Sequence, residues 1–464
     1  MVGPSRPSSS LGGVIGGALA RFFRAVTPDP FVLAILLTLL TGLLALALTD
    51  TTVDGVITGW QGPSGFWKLL AFSMQMCLIL VTGHALASTP LVRRQIAAVV
   101  ALPKSAGAAG ALVAFVAIAT SLLNWGLALI VGALVAREMG RSCQRRGVRV
   151  HYPLLVAAGY TGLMCWHGGF SGSAPLKVTT QKDLVELLGA ELGARTAPLS
   201  TFETILSPMN LVISGGLLVL VPVVIWFLSP RGDDEAVGIE VFDVAEDTPP
   251  APVTPETVPE RLEQSFFVTL LLVAPLAYGL ALYFVKNGLS KLDPNAVNLV
   301  LLTAGLLLHK TPRAYLKAVQ DAVAGCSGII LQFPLYAGIM GIMATSGLAK
   351  LFAGWAASTA SASSYLVLTF LSAGFINFFV PSGGGQWAVQ GPIAVQAAEM
   401  VGVPFSSAVM AVAYGDQWTN MLQPFWALPL LGITGVTAKD IIGYTAFIMF
   451  VAGLWLMGGL VLLG

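Results

Sequence analysis

Long apolar stretches dominate the chain, and their lengths predict helices that cross a membrane. A crossing takes about 20 apolar residues. Six stretches meet that scale: 31–48, 69–87, 209–228, 266–284, 323–346 and 441–463. A seventh, 295–308, is shorter. Two further crossings, 153–175 and 405–431, are interrupted by polar, glycine-containing cores. The stretches 106–136 and 365–398 are too short for two spans and too long for one, and each has a polar break near its middle. Both read as helical hairpins that enter the membrane and turn back. The pattern predicts an all-α integral membrane protein with about nine full spans and two hairpins.

The breaks recur at matching places in the two halves. Leu123-Asn124-Trp125 interrupts the first hairpin and Ile376-Asn377-Phe378 the second. An interrupted span follows each, around Trp166-His167-Gly168-Gly169-Phe170-Ser171-Gly172-Ser173 and Tyr414-Gly415-Asp416-Gln417-Trp418-Thr419-Asn420. A proline comes soon after each core, Pro175 and Pro424. Polar backbone at membrane depth is tolerated only where it is buried in protein or lines a wet cavity. Paired breaks of this kind point to the binding site of a secondary transporter.

Basic residues set the orientation, because cytoplasmic loops are rich in Lys and Arg. Arg21 and Arg24 place the N-terminus in the cytoplasm. Arg93, Arg94 and Lys104 precede the first hairpin, and Arg137, Arg141, Arg145, Arg146 and Arg149 follow it, so it starts and ends on the cytoplasmic side. His309, Lys310, Arg313 and Lys317 form another cytoplasmic cluster. The second hairpin, flanked by Lys350 and Glu399, comes out on the external face, and the C-terminus is periplasmic. Lys286 and Lys291, placed outside, run against this arrangement. One hairpin from each face makes two inverted-topology repeats. The transmembrane halves are 1–228 and 264–464, separated by an acidic, Pro-rich cytoplasmic linker, 229–263, which cannot bury enough surface to fold. Residues 177–203 fit a short amphipathic helix at the external interface, with Leu184, Leu187, Leu188 and Leu192 on its apolar face.

Composition narrows the class. The 464 residues are 56% hydrophobic and 10% charged, against about 25% charged in soluble domains. A net charge of +1 gives no case for nucleic acid. The four cysteines have no metal-ligand spacing and read as buried free thiols. The basic, Ser/Gly-rich N-terminus lacks the pattern of a cleaved signal peptide. No Gly-x-Ser-x-Gly elbow, His-Glu-x-x-His or close carboxylate pair supports an enzyme.

Candidate chemistry gathers at the breaks. In Ser382-Gly383-Gly384-Gly385, successive glycines let backbone N–H groups converge into an anion-binding concavity. A helix starting near Gln386 would add its positive dipole end. No Arg or Lys lies in either hairpin, so a carboxylate there is held by backbone. The alternative is close helix packing. Asp416, the one acid of its span, either binds Na⁺ with Thr419 or Asn420, carries a proton, or caps a half-helix. Asn124, Asn377, Ser171 and Ser173 offer neutral oxygens for an ion or for interhelical bonds. His84 and His167 are proton shuttles or packing residues. Trp125, Trp166, Trp387 and Trp418 wall an acyl pocket or simply pack. Gln386, Gln390 and Gln417 donate to a carboxylate or to neighbouring helices.

Several segments carry a resemblance. They are Val380-Pro381-Ser382-Gly383-Gly384-Gly385-Gln386-Trp387, Gln390-Gly391-Pro392, Tyr414-Gly415-Asp416-Gln417-Trp418 and Gln423-Pro424-Phe425-Trp426-Ala427-Leu428-Pro429. With them go Leu69 to Met76, Val81 to Ser88 and Trp166 to Ser173. Together they resemble the bacterial short-chain fatty acid transporter family, from about Pro28 to the C-terminus, lapsing in the linker. The resemblance implies a multi-pass inner-membrane protein that imports acetoacetate, butyrate or acetate. It also implies kinship with a wider ion-transporter superfamily, whose members move a substrate-carrying domain like an elevator. H⁺ or Na⁺ symport is expected, with an uncoupled channel or facilitator as the alternative. The expected substrate set is Asn124, Ser382, Gly383, Gly384, Gly385, Gln386, Asn377 and Trp387. The expected ion-coupling set is Asp416, Thr419, Asn420, Ser171, Ser173 and His84, with Na⁺ at Asp416 and Asn420 or H⁺ in its place. The preferred acid, the coupling ion and the oligomeric state, a homo-oligomer included, stay open.

Overall fold

The computed structural model describes residues 30–230, 236–242, 244, 255–289, 292–378 and 380–464. The readings that rest on Arg21, Arg24, Lys291 and the middle of the linker lie outside these residues. Among the described residues the elements are helices, with no strand. Start signals recur: a Ser, Thr or Asp cap followed by proline at the first helical position. Thr89-Pro90, Ser207-Pro208, Asp293-Pro294 and Thr311-Pro312 each open a helix this way, the cap side chain accepting a backbone N–H from the first turn.

Among the described residues six helical segments are long and apolar enough to cross a membrane: Leu70–Ala87, Ala106–Leu123, Pro208–Leu228, Phe266–Asn287, Pro312–Ser346 and Ala438–Leu463. Ala34–Leu48, Pro294–His309 and Ala362–Asn377 are shorter apolar helical stretches. The helices Val53–Gln61, Pro90–Val100 and Leu348–Thr359 went unread in the sequence, because none is long enough to announce a span. The stretch read as beginning at 323 instead continues a helix from Pro312–Val323 through one 3-10 turn, Ala324–Cys326, into Ser327–Ser346.

Both hairpins are present as helix–break–helix units. The first comprises Ala106–Leu123 and Trp125–Arg145, and the second Ala362–Asn377 and Gly383–Val401. The first break is a single extended residue, Asn124, with φ −161° and ψ 132°. The second arm of the first hairpin runs past the expected end at 136. Arg137 is buried there, its guanidinium against Glu138 at 3.1 Å, so the charge does not end the helix.

Both interrupted spans are broken as expected. Tyr152–Tyr160 passes through two 3-10 turns, Thr161–Met164 and Trp166–Gly168, to the short helix Ser173–Leu176. Phe405–Thr419 passes through Asn420–Leu422 to Pro424–Thr434. Between residues 177 and 203 lie two short helices, Gln181–Leu188 and Ala190–Arg195, with Leu184, Leu187, Leu188 and Leu192 buried. Within 229–263, residues 236–242 dock on the first half. Val237 accepts the Tyr152 N–H at 2.8 Å, Ile239 is buried, and Phe242 packs on the Tyr152 ring.

Candidate functional site

The breaks meet at one cavity. It is a narrow cavity that opens part way to solvent. Three indoles form part of its wall. Trp125 from the first hairpin packs against Trp166 of the first broken span at 6.1 Å and edge-on to Trp426 of the second at 5.4 Å. Met76, Leu163 and Ile329 complete the apolar lining. The Trp426 indole N–H is held by the Pro381 carbonyl at 3.0 Å, which fixes one side of the wall to the second break.

The polar end is the start of the helix Gly383–Val401. Ser382 caps it, accepting the Gly385 N–H at 3.3 Å. The Gly383 and Gly384 N–H groups belong to a first helical turn and have no intrahelical acceptor, and both residues line the cavity beside Ser382. The sequence suggested a glycine loop with the helix beginning near Gln386. Instead all three glycines lie inside the first turn, because Ser382 supplies the cap. Donors and dipole therefore coincide. The packing alternative holds as well. A Cβ at Gly383 would stand 2.8 Å from His167 Cε1, one at Gly384 2.9 Å from Phe72 Cζ, and one at Gly385 2.8 Å from Tyr336 Cε2.

Behind this surface Asn377, fully buried, ties the second hairpin to the second broken span. Its Nδ2 faces three oxygens: the Asp416 carbonyl at 2.6 Å, Asn420 Oδ1 at 2.9 Å and Thr419 Oγ1 at 3.0 Å. Gln423 Nε2 donates to the Asn377 carbonyl at 2.5 Å. Asn420 also lines the cavity, and its Nδ2 donates to the Leu163 carbonyl of the first broken span. The Tyr160 hydroxyl donates to the Asn420 and Gln423 carbonyls at 2.9 and 2.8 Å.

The two broken spans also share a buried ion-pair geometry. His167 Nδ1 lies 2.6 Å from Asp416 Oδ2, with both side chains within 1% of full burial. The Ala174 N–H donates to His167 Nε2 at 3.0 Å, and Gln417 Oε1 accepts the His167 N–H at 2.9 Å. Trp166 stacks on the imidazole at 4.4 Å, so one indole faces both the cavity and the dyad.

Other expected residues fall elsewhere. Asn124 caps its own helix through the Leu127 N–H and reaches the Ile79 carbonyl, away from the lining. Ser171 accepts the Trp125 N–H at 3.0 Å, whereas Ser173 does line the cavity. Gln386 donates to the Ala373 carbonyl and to Gln390, and Trp387 is buried in the core. His84 sits in the last turn of Leu70–Ala87, outside the lining, and its acidic neighbour is Asp321. His167 holds the position beside the acid. Lys177, expected at the interface, is 1% exposed, with Nζ 2.5 Å from Asp183 and 3.3 Å from Glu186. It also lies over the Phe72 ring at 4.6 Å, the ring that abuts Gly384. The signal for it was present in sequence, since Lys177 sits one residue after Ser173–Leu176 and four before an acidic, leucine-bearing helix.

The chain is similar to known proteins over almost its whole length. A family profile described as short chain fatty acid transporter matches residues 13–463. A protein of Escherichia coli (strain K12), provisionally named a short-chain fatty acid transporter, is 41% identical over 452 residues, covering 97% of this chain and 99% of that one. A Haemophilus influenzae protein with the same provisional name is 38% identical, covering 95% and 97%. Among solved structures, the Alcanivorax borkumensis YdaH transporter aligns with a TM-score of 0.57 at 18% identity, covering 94% of this chain and 97% of that one. Neisseria gonorrhoeae MtrF, of a class of antimetabolite efflux pumps, aligns with a TM-score of 0.53 at 13% identity, covering 96% of each. At those identities the likeness speaks for the fold.

Proposed function

The chain belongs to the short chain fatty acid transporter family, and from that premise we propose a secondary active transporter that imports short-chain fatty acid anions of the acetoacetate, butyrate and acetate class. It is a multi-pass membrane protein. We place it in the bacterial inner membrane with the N-terminus cytoplasmic and the C-terminus periplasmic. The two halves act as inverted repeats, each with a hairpin and a broken span, and a substrate-carrying unit moves in the manner of an elevator. Uptake is driven by H⁺ or Na⁺ symport.

One observation carries the substrate reading: an indole-walled cavity whose polar end is the Gly383–Gly384 helix start. A short acyl tail suits the three indoles, and a carboxylate suits N–H donors at a helix N-terminus. A longer acid would have to displace Trp125 or Trp426.

The test is uptake and counterflow of labelled butyrate and acetoacetate in proteoliposomes, with protein-free vesicles subtracted to remove diffusion of the neutral acids. Saturable accumulation that follows one imposed cation gradient is expected. Equilibration without accumulation under either gradient would replace the symporter by a facilitator.

A further inference from the structure

We propose that His167 and Asp416 act as one proton-carrying unit, in which Asp416 Oδ1 takes up one proton for each short-chain anion bound. This rests on the carboxylate reading of the neighbouring cavity and settles which cation accompanies the substrate.

The hydrogen bonds fix where the protons sit. Ala174 donates its N–H to His167 Nε2, so that nitrogen is an acceptor and the ring carries its proton on Nδ1. Nδ1–H then donates to Asp416 Oδ2 at 2.6 Å. A neutral imidazole and an ionised carboxylate give the pair a net charge of −1. Asp416 Oδ1 has no hydrogen-bond partner although the side chain is buried. A desolvated carboxylate oxygen without a donor is costly, and a proton on Oδ1 removes that cost. The pair thus has two states, −1 with Oδ1 bare and neutral with Oδ1–H. Loading breaks one O–H bond of a hydronium ion and forms one O–H bond on Oδ1, leaving water, and release is the reverse.

The cavity reads that state because only one layer separates them. Trp166 stacks on the imidazole and lines the cavity. His167 Cε1 stands against the bare Cα of Gly383, whose N–H is a proposed carboxylate donor. An anion at Gly383 and a bare Asp416 are like charges in a desolvated site, so each disfavours the other. Protonation of Oδ1 tightens anion binding, and by reciprocity anion binding promotes protonation by the same factor.

Among the described residues the ionisable side chain paired with Asp416 is His167. Cys165 and Tyr414, each two residues before a member of the pair, bond instead to the Ser214 carbonyl and to Asn210. Lys177, beyond Ser173, is already answered by Asp183 and Glu186. The helix Pro208–Leu228 offers only Asn210 and Ser214 there. Arg137 of the first hairpin lies about three helical turns from Trp125. Thr419 Oγ1, Asn420 Oδ1 and the Asp416 carbonyl all face the Asn377 amide N–H₂, so they are turned to a donor, and Asp416 Oδ1 is the bare oxygen for which a proton and a sodium ion would compete.

The experiment is calorimetric titration of butyrate into the purified protein, free of Na⁺, in buffers of differing ionisation enthalpy and across mildly acid to mildly alkaline pH. The expected result is uptake of one proton per butyrate bound, with affinity falling about tenfold per unit of pH once Asp416 is ionised. A protonated-carboxyl band should appear in the infrared difference spectrum on butyrate addition. Asp416→Asn should bind butyrate with an affinity that no longer depends on pH, and should lose the band. Binding by the wild-type protein without proton uptake, or binding that requires Na⁺, overturns the proton unit and leaves the carboxylate reading standing. Failure of the wild-type protein to bind any short-chain acid overturns the carboxylate reading and the proton unit with it.

Discussion

Asn124 and Asn377 sit at the breaks of the two hairpins, yet Asn124 bonds within its own half and Asn377 reaches across to a broken span. Asn124 Oδ1 accepts the Leu127 N–H at 2.7 Å and its Nδ2 reaches Ile79, so it fastens its own half. Asn377 Nδ2 faces the Asp416 carbonyl, Thr419 and Asn420 together. Asn124→Ala should therefore cost about 1–2 kcal/mol, the value of a helix cap, with transport reduced. Asn377→Leu should cost about 2–3 kcal/mol by stranding buried acceptors and abolish transport. Thermal unfolding of the purified variants, paired with counterflow, would reveal equal effects if the two asparagines were interchangeable.

Gly384→Ala places a methyl group 2.9 Å from Phe72 Cζ and 3.1 Å from Phe333 Cζ, at the wall of the cavity. Crowding there should weaken butyrate binding by about tenfold or more, since a misfit of 1–3 kcal/mol is typical of overpacking. Gly279, within Phe266–Asn287, has open space around it, so Gly279→Ala should leave binding unchanged and raise stability by up to about 1 kcal/mol. Tryptophan fluorescence titration of both variants decides the matter. Equal affinities would remove the helix start from the site.

Trp125 contributes one of three indoles to the apolar wall. Trp125→Leu should lengthen the pocket and shift preference from butyrate toward hexanoate. Each extra buried methylene is worth about 0.8 kcal/mol, roughly fourfold in affinity. Competition by acids of increasing chain length measures this. An unchanged ranking would show that the tail lies elsewhere.

Lys177 is buried between two acids and the Phe72 face. Asp183→Asn removes the nearer acid, leaving Glu186 at 3.3 Å as the remaining carboxylate, and should destabilise the protein by about 3 kcal/mol. Because Phe72 abuts Gly384, butyrate affinity should fall as well. A stability loss with unaltered affinity would confine Lys177 to architecture.

The sequence was most legible where local physics decides. Apolar length announced the long spans, and an asparagine between an aliphatic and an aromatic residue, in a stretch too long for one span and too short for two, announced each hairpin. Legibility failed where a charge finds a partner. Arg137 was read as following the first hairpin, but the hairpin's second helix continues through it to Arg145, with the guanidinium buried against Glu138. Lys177 was read as interfacial, but Asp183 and Glu186 take it into the interior. Choosing His84 over His167 was a tertiary question, since His167 and Asp416 stand 249 residues apart. The glycine run was read as a loop because successive glycines weaken helices. The Ser382 cap and three close aromatic neighbours instead hold them in a first turn.

The cavity wall contains no arginine or lysine, and this has an electrical consequence. A transporter that grips anions with a fixed cation carries that charge back through the membrane field on each empty return. The field acts on it with about 2.3 kcal/mol per 100 mV. A wall that holds its ligand with backbone dipoles has no such passenger. On the empty return the wall therefore adds no charge of its own, and the −1 of the proposed His167–Asp416 unit is what the field acts on.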